Sequence, residues 1–233
     1  MTFPPRISAE ESTSHRFAML LLLVLFALHA LAELNANALE QQLIARFGPA
    51  RVVLLKDWLS SVSSVKPLPE EGKLKRVNDF INQNFNFEDD MIVWQQSDYW
   101  ATPLEMIGQG RGDCEDFAII KYVSLRMTGI PVQKLRLIYV KAQLKTPSGG
   151  QAQQAHMVLA YYATPNAEPL VLDNLNTTIR PASKRPDLQP VFSFNSEGIF
   201  AGVTGDDKAT AGGIGRLSRW EDAWRRIQAE GYE

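Results

Sequence analysis

The apolar residues of this chain change their period at Gly129-Ile130-Pro131, and that switch restricts the fold more than any other feature. Upstream, Leu74, Val77, Phe80, Ile81 and Phe85 recur three or four positions apart, which predicts a helix over 70–85. Shorter helices are expected over 39–47, stopped by Gly48-Pro49, and over 52–65, stopped by Pro67 and Pro69. A single turn follows at Leu104 to Ile107, and a further helix runs from Cys114 to Met127. Downstream of the switch, Leu135–Val140, His156–Tyr162 and Leu170–Leu172 are short apolar, β-branched or aromatic runs that read as strands. Pro147-Ser148-Gly149-Gly150 and Pro165-Asn166 supply turns between them, so an antiparallel meander is expected. Residues 181–215, rich in Pro, Gly, Ser and Asp, read as irregular, and Trp220, Trp224 and Ile227 form one face of a closing helix. The expected class is α+β, with N-terminal helices packed on an antiparallel sheet.

Residues 17–32 read FAMLLLLVLFALHALA behind Arg16. The run is short for a membrane span and apolar on every face, which suits the core of an export signal. Ala30-Leu31-Ala32 and Ala36-Asn37-Ala38 offer small-x-small cleavage positions, and an uncleaved anchor is the alternative. Residues 1–32 are therefore expected to be a signal peptide or N-terminal membrane anchor, and residues 33–233 one domain acting in the periplasm. Among 233 residues, 24 basic and 26 acidic side chains leave a net charge of −2 without long runs of either sign. That balance argues against nucleic acid as a partner.

Cys114 is the sole cysteine, which rules out an intramolecular disulfide. Of three histidines, His15 and His29 lie in or beside the apolar segment, which leaves His156 as the only candidate base of the folded domain. Cys114 stands where the glycine-rich stretch Gly108–Gly112 meets a helix start. Oriented N–H groups there favour a thiolate and can bind an oxyanion. The backbone N–H of Cys114 is one oxyanion donor, with the side chains of Trp100 or Gln109 as weaker candidates. The glycine-rich stretch lacks a preceding strand and the full spacing of a dinucleotide loop, and is read as a flexible turn. His156 opens a strand and Asp173 ends the next. If those strands pair, the aspartate can orient the imidazole and stabilise its cation.

Cysteine at a helix start, histidine opening a strand and aspartate ending the following one is a more specific pattern than any of the three alone. Gly110-Arg111-Gly112-Asp113-Cys114-Glu115-Asp116-Phe117-Ala118 resembles the nucleophile motif of the bacterial transglutaminase-like cysteine proteinases. Ala155-His156-Met157-Val158 and Val171-Leu172-Asp173-Asn174 extend the likeness, which spans roughly Trp94 to Asn176. The resemblance implies a papain/transglutaminase-like fold and an endopeptidase with Cys114, His156 and Asp173 as its catalytic triad.

Asp113, Glu115 and Asp116 crowd the nucleophile. By themselves they fit either a solvated acidic helix start or a site for a hard cation with oxygen ligands. The resemblance favours the second, with calcium bound at Asp113, Glu115 and Asp116. It further implies that the substrate is a large surface adhesin, cut near its N-terminus to release it and disperse biofilm, and that an inner-membrane cyclic-di-GMP receptor restrains the enzyme. Two alternatives stand beside the protease. One is a thiol-dependent acyltransferase or amidase on the same triad, and the other is a calcium-binding module without catalysis.

Overall fold

The computed structural model describes residues 35–145, 149–200, 202–203 and 214–232. The expected export segment 1–32 lies outside them. The first helix, α1 (residues 35–47), already buries Leu39 and Leu43, and Ala36-Asn37-Ala38 lies in its first turn. In α2 (Val52–Val65) the buried residues Leu55, Trp58, Val62 and Val65 recur every three or four positions. Trp58 is 1% exposed, and its indole N–H donates to Ser124 Oγ at 2.8 Å. Glu70 and Glu71 open α3 (Glu70–Asn84), where negative charge opposes the positive end of the helix dipole. This helix buries Leu74, Val77, Asn78 and Ile81.

Two residues, β1 (Asn86–Phe87), pair in parallel with β2 (Arg111–Gly112). Between them come the short α4 (Asp90–Val93) and α5 (Pro103–Gln109). Thr102 caps α5 in a reciprocal box with Glu105, with Pro103 at the first helical position, where its missing N–H costs nothing. Gly110 closes α5 at φ 69°, a left-handed conformation that a side chain would strain. The glycine-rich stretch is thus a hydrogen-bonded splice, since β1 and the residue after it donate to the Gly110 and Gly112 carbonyls and the Gly110 N–H returns to the Met106 carbonyl. Then α6 (Cys114–Met127) buries every residue from Phe117 to Leu125 and fills the centre of the molecule. A helix with so little polar surface needs cover on all sides. It receives that cover from α2, α3, α5 and the sheet.

The main sheet is fully antiparallel, in the order β6-β5-β4-β3-β7-β8. Its strands are β3 (Leu135–Lys145), β4 (Gln151–Tyr161), β5 (Leu170–Leu172), β6 (Arg180–Pro181), β7 (Leu188–Asn195) and β8 (Gly198–Phe200). The first three form the expected meander, and β6 extends it by one strand at the start of the stretch read as irregular. The other two lie in the stretch the sequence presents as irregular, and pair on the far side of β3. Pro190 is tolerated in β7 because the register slips between Tyr139 and Val140, where Val191 bulges out. Both sheet faces are covered. Leu137, Met157, Leu159, Leu172 and Phe194 face the helices, while Ile138, Val140, Val158, Ala160 and Val171 form a second cluster behind. The last helix, α7 (Ile214–Glu230), buries Trp220 and Ile227 of the expected face together with Ala223, while Trp224 is half-buried against the core. Among the described residues no helix is long and apolar enough to cross a membrane.

Candidate active site

Cys114 is the first residue of α6, because Asp113 caps that helix. The Asp113 carboxylate accepts the N–H of Glu115 at 3.2 Å, and Asp116 reaches back to the N–H of Asp113 at 3.3 Å. Gly112 is required here, since a Cβ at that position would lie 2.4 Å from Asp116 Oδ2. The other oxygen of Asp116 accepts the N–H of Ala101 at 2.7 Å, which ties the segment before α5 to the nucleophile loop.

The thiol of Cys114 is 8% exposed and donates to Glu115 Oε2 at 2.7 Å. The backbone of Met157, the residue after His156 on β4, lies beside the sulfur and acts to lower the thiol. Burial and the charges of Glu115 and Asp113 push the thiol well above its usual range, and the Met157 backbone only partly offsets them. Burial and the acidic cluster thus both act against a thiolate at this helix start.

His156 is not the first residue of its strand. The strand begins at Gln151, and its first five residues are solvent-exposed, so no apolar alternation marks them. From mid-strand, His156 Nε2 lies 2.8 Å from Asp173 Oδ1, with side-chain exposures of 2% and 0%. The β4–β5 register, Leu159 against Leu172, brings Asp173 to this position one residue after β5 ends. Burial raises the cost of the Asp173 charge. The hydrogen bonds and charges of His156 and Arg185 outweigh it and hold the carboxyl well below its ordinary range. With Asp173 ionised, Nε2 carries the proton and donates it.

Several groups that the sequence does not single out complete the cluster. Arg185 Nη2 donates to Asp173 Oδ2 at 2.7 Å and also pairs with Asp187. Asn82 and Lys121 donate to the Asp173 carbonyl at 3.0 and 2.9 Å. Asp90 is the fourth. The β1–β2 pairing delivers it to the nucleophile loop, and carboxylate oxygens of Asp90, Asp113 and Asp116 lie within 4.8 Å of one another. Glu115 belongs instead to a second group, with Cys114 and Asp113. Burial moves Asp90 up to about 6, with further repulsion from Glu115, Asp98 and Asp89. Its Oδ2 takes the N–H of Tyr99, whereas Oδ1 is buried without a partner. Two buried carboxylates and a half-buried third, with one orphaned oxygen, are the donor set of a hard cation, and all the donors are oxygen. The Asp113–Cys114–Glu115 group, which includes a thiol, suits calcium less well. Trp100 gives its indole N–H to Asp98 at 2.9 Å, so that group is already engaged.

A second polar cluster supports the loop. Glu105, 3% exposed, accepts from Arg46, Arg226 and Tyr99, and Glu230 accepts from Arg46 and Thr102. Arg226 also donates to the Trp100 carbonyl at 2.7 Å.

A helix-borne cysteine set against an antiparallel sheet that carries a histidine–aspartate pair defines a transglutaminase-like thiol hydrolase. The family comparison agrees. Residues 63–187 match the bacterial transglutaminase-like cysteine proteinases, BTLCP, and the chain belongs to that family of cysteine proteinases. Among solved structures it is similar to Legionella pneumophila LapG, with 38% identity over 82% of this chain and 97% of the other and a TM-score of 0.65. The EGTA-treated form of that protein gives 38% identity, the same coverage and a TM-score of 0.66. Its calcium-bound form gives 37% identity over 82% of this chain and 98% of the other, at a TM-score of 0.65. No curated protein matches the chain.

Proposed function

We propose that this chain is a calcium-dependent periplasmic cysteine endopeptidase that cuts the N-terminal region of a large surface adhesin, with Cys114, His156 and Asp173 as its triad. The observation that carries this reading is the buried His156–Asp173 pair, with His156 on a strand whose next residue, Met157, brings its backbone beside the Cys114 thiol. Asp173 fixes the ring through Nε2, which leaves Nδ1 to accept the proton of Cys114. The sulfur attacks the scissile carbonyl carbon and forms a C–S bond, and the carbonyl electrons move onto oxygen. The backbone N–H of Cys114 at the start of α6 stabilises that oxyanion. When the C–N bond breaks, His156 returns the proton to the leaving amine. Water, deprotonated by His156, then hydrolyses the thioester and restores the thiol.

Asp90, Asp113 and Asp116 would hold calcium, with Glu115 at its margin, and a bound cation there supplies positive charge that offsets the carboxylates raising the thiol. The calcium-bound relative supports the choice of metal. The apolar run of residues 17–32 supports export. The adhesin substrate, the release of biofilm and restraint by an inner-membrane cyclic-di-GMP receptor rest on family resemblance.

The test is cleavage of an adhesin N-terminal fragment encoded in the same genome, using protein expressed from its full-length gene. Wild type and Cys114→Ala are compared with calcium and with chelator. Calcium-dependent cleavage that Cys114→Ala abolishes is expected. Cleavage that survives in Cys114→Ala ends the triad model, and indifference to chelation ends the calcium assignment.

A further inference from the structure

β4 is much longer than the strand beside it. β5 covers its outer edge only at Leu159, Ala160 and Tyr161, and from Gln151 to Val158 that edge has no ladder partner among the described residues. In an antiparallel strand the N–H and C=O of one residue point to the same side, and the next residue points to the other. The N–H of Tyr162 donates to the Lys134 carbonyl on the β3 side at 2.9 Å, so Tyr161, Leu159 and Met157 turn their backbone groups outward, Met157 beside Cys114. Ala155, Gln153 and Gln151 therefore turn their backbone groups outward as well, whereas Gln154 and Ala152 turn theirs toward β3. Ala155 presents its N–H and carbonyl about 7 Å along the same edge from Met157.

Such edges are normally blunted by charge, proline or a bulge. Gln151-Ala152-Gln153-Gln154-Ala155 has none of these, and all five residues are exposed. On the sheet face across β4, β3 and β7, Tyr139, Lys141, Gln153, Gln154, Ala155 and Val191 line an open recess of about 330 Å³. Tyr139 and Lys141 pair with Met157 and Ala155, so the recess opens on the sheet face that carries the Met157 side chain.

We propose that the free edge of β4, Gln151 to Ala155, binds the substrate backbone as an added strand that leads the scissile bond to Cys114. This deepens the endopeptidase reading and rests on it. The partner is an extended polypeptide segment. Its main chain pairs with Ala155 and Gln153, and an alternate side chain lies at the rim of the recess. Folded or helical segments are not substrates, because their backbone groups are already paired.

Two measurements test this. In the first, a synthetic peptide copied from the cleaved site of the adhesin fragment is N-methylated at one residue at a time. Strand addition predicts an alternating pattern, in which methylation at every second residue raises KM about tenfold and the intervening positions are tolerated. If the unmodified peptide is cut but methylation is tolerated everywhere, or is costly without alternation, the added strand is overturned while the endopeptidase stands. If neither peptide nor fragment is cut, the endopeptidase reading fails for that substrate. The second measurement, which needs no cleavage, then decides. Hydrogen exchange is followed in calcium-loaded Cys114→Ala with and without the adhesin fragment. The amides of Gln151, Gln153 and Ala155 are expected to slow roughly tenfold or more, with Ala152 and Gln154 unchanged. Unchanged exchange at all three outward amides overturns the proposal.

Discussion

Arg185 Nη2 lies 2.7 Å from Oδ2 of Asp173, with side-chain exposures of 3% and 0%. His156 occupies Oδ1, so both carboxylate oxygens are committed, and the Asp173 carbonyl is held in addition by Asn82 and Lys121. The carboxylate that orients the imidazole cannot rotate without breaking several buried hydrogen bonds at once.

Arg185→Ala is therefore expected to destabilise the fold by about 3–5 kcal/mol, because it leaves a buried charge with one partner fewer. It should lower kcat with little change in KM, and Arg185→Lys should rescue only part, lacking the second arm that reaches Asp187. Asp173 has a depressed folded pKa. Its contribution to stability is present above the unfolded carboxyl value of about 3.9 and is lost as pH falls toward the folded value. The stability gap between wild type and Arg185→Ala, read by urea unfolding, should accordingly narrow below about pH 4.

Calcium should raise the melting temperature. At a hundredfold excess over Kd the linkage is about 2.7 kcal/mol, or roughly 5–10 °C for a domain of this size. Asp90→Asn removes one of three crowded carboxylates. It should raise the melting temperature in chelator and shrink the calcium-induced shift, both of which scanning calorimetry reads directly.

The thiol is pushed up by burial and by Glu115 and Asp113. Iodoacetamide should therefore alkylate Cys114 about tenfold or more faster in calcium than in chelator at neutral pH, since only the thiolate reacts. Equal rates would remove the electrostatic role assigned to the metal.

Lys121 is fully buried, and burial lowers it to about 7 despite the nearby charge of Asp173. The unfolded chain keeps its proton to about 10.4, so between those values the unfolded state binds more protons and stability rises with pH. Lys121→Met should flatten that rise in unfolding experiments between pH 7 and 10. It should also reduce kcat through the lost hydrogen bond to the Asp173 carbonyl.

Much of the fold is legible because it depends on local periodicity. Leu74, Val77 and Ile81 announce α3, and Asp113 followed by a mostly apolar run announces α6 with its bounds. β7 and β8 are hidden because Pro190 and Gly198 mimic a loop, and the Val191 bulge that accommodates the proline is a property of the pair of strands. The start of β4 is hidden for a related reason, since an exposed Gln-Ala stretch has no apolar face to alternate. Cys114, His156 and Asp173 stand out by scarcity and order. Asp90, Asn82 and Arg185 do not, because they reach the site through β-pairing and long-range contacts. Lys121 leaves one trace, a cation between the apolar runs Phe117–Ile120 and Tyr122–Val123.

The stretch that identifies the family, residues 63–187, contains Cys114, His156 and Asp173 but neither Arg46 nor Arg226. Cutting the chain to that stretch would leave Glu105, 3% exposed in the intact fold, without either of its cations, and would free the Trp100 carbonyl from Arg226. An uncompensated acid under the nucleophile loop is expensive. The shortest piece of this protein able to fold is therefore expected to be longer than the piece by which it is recognised.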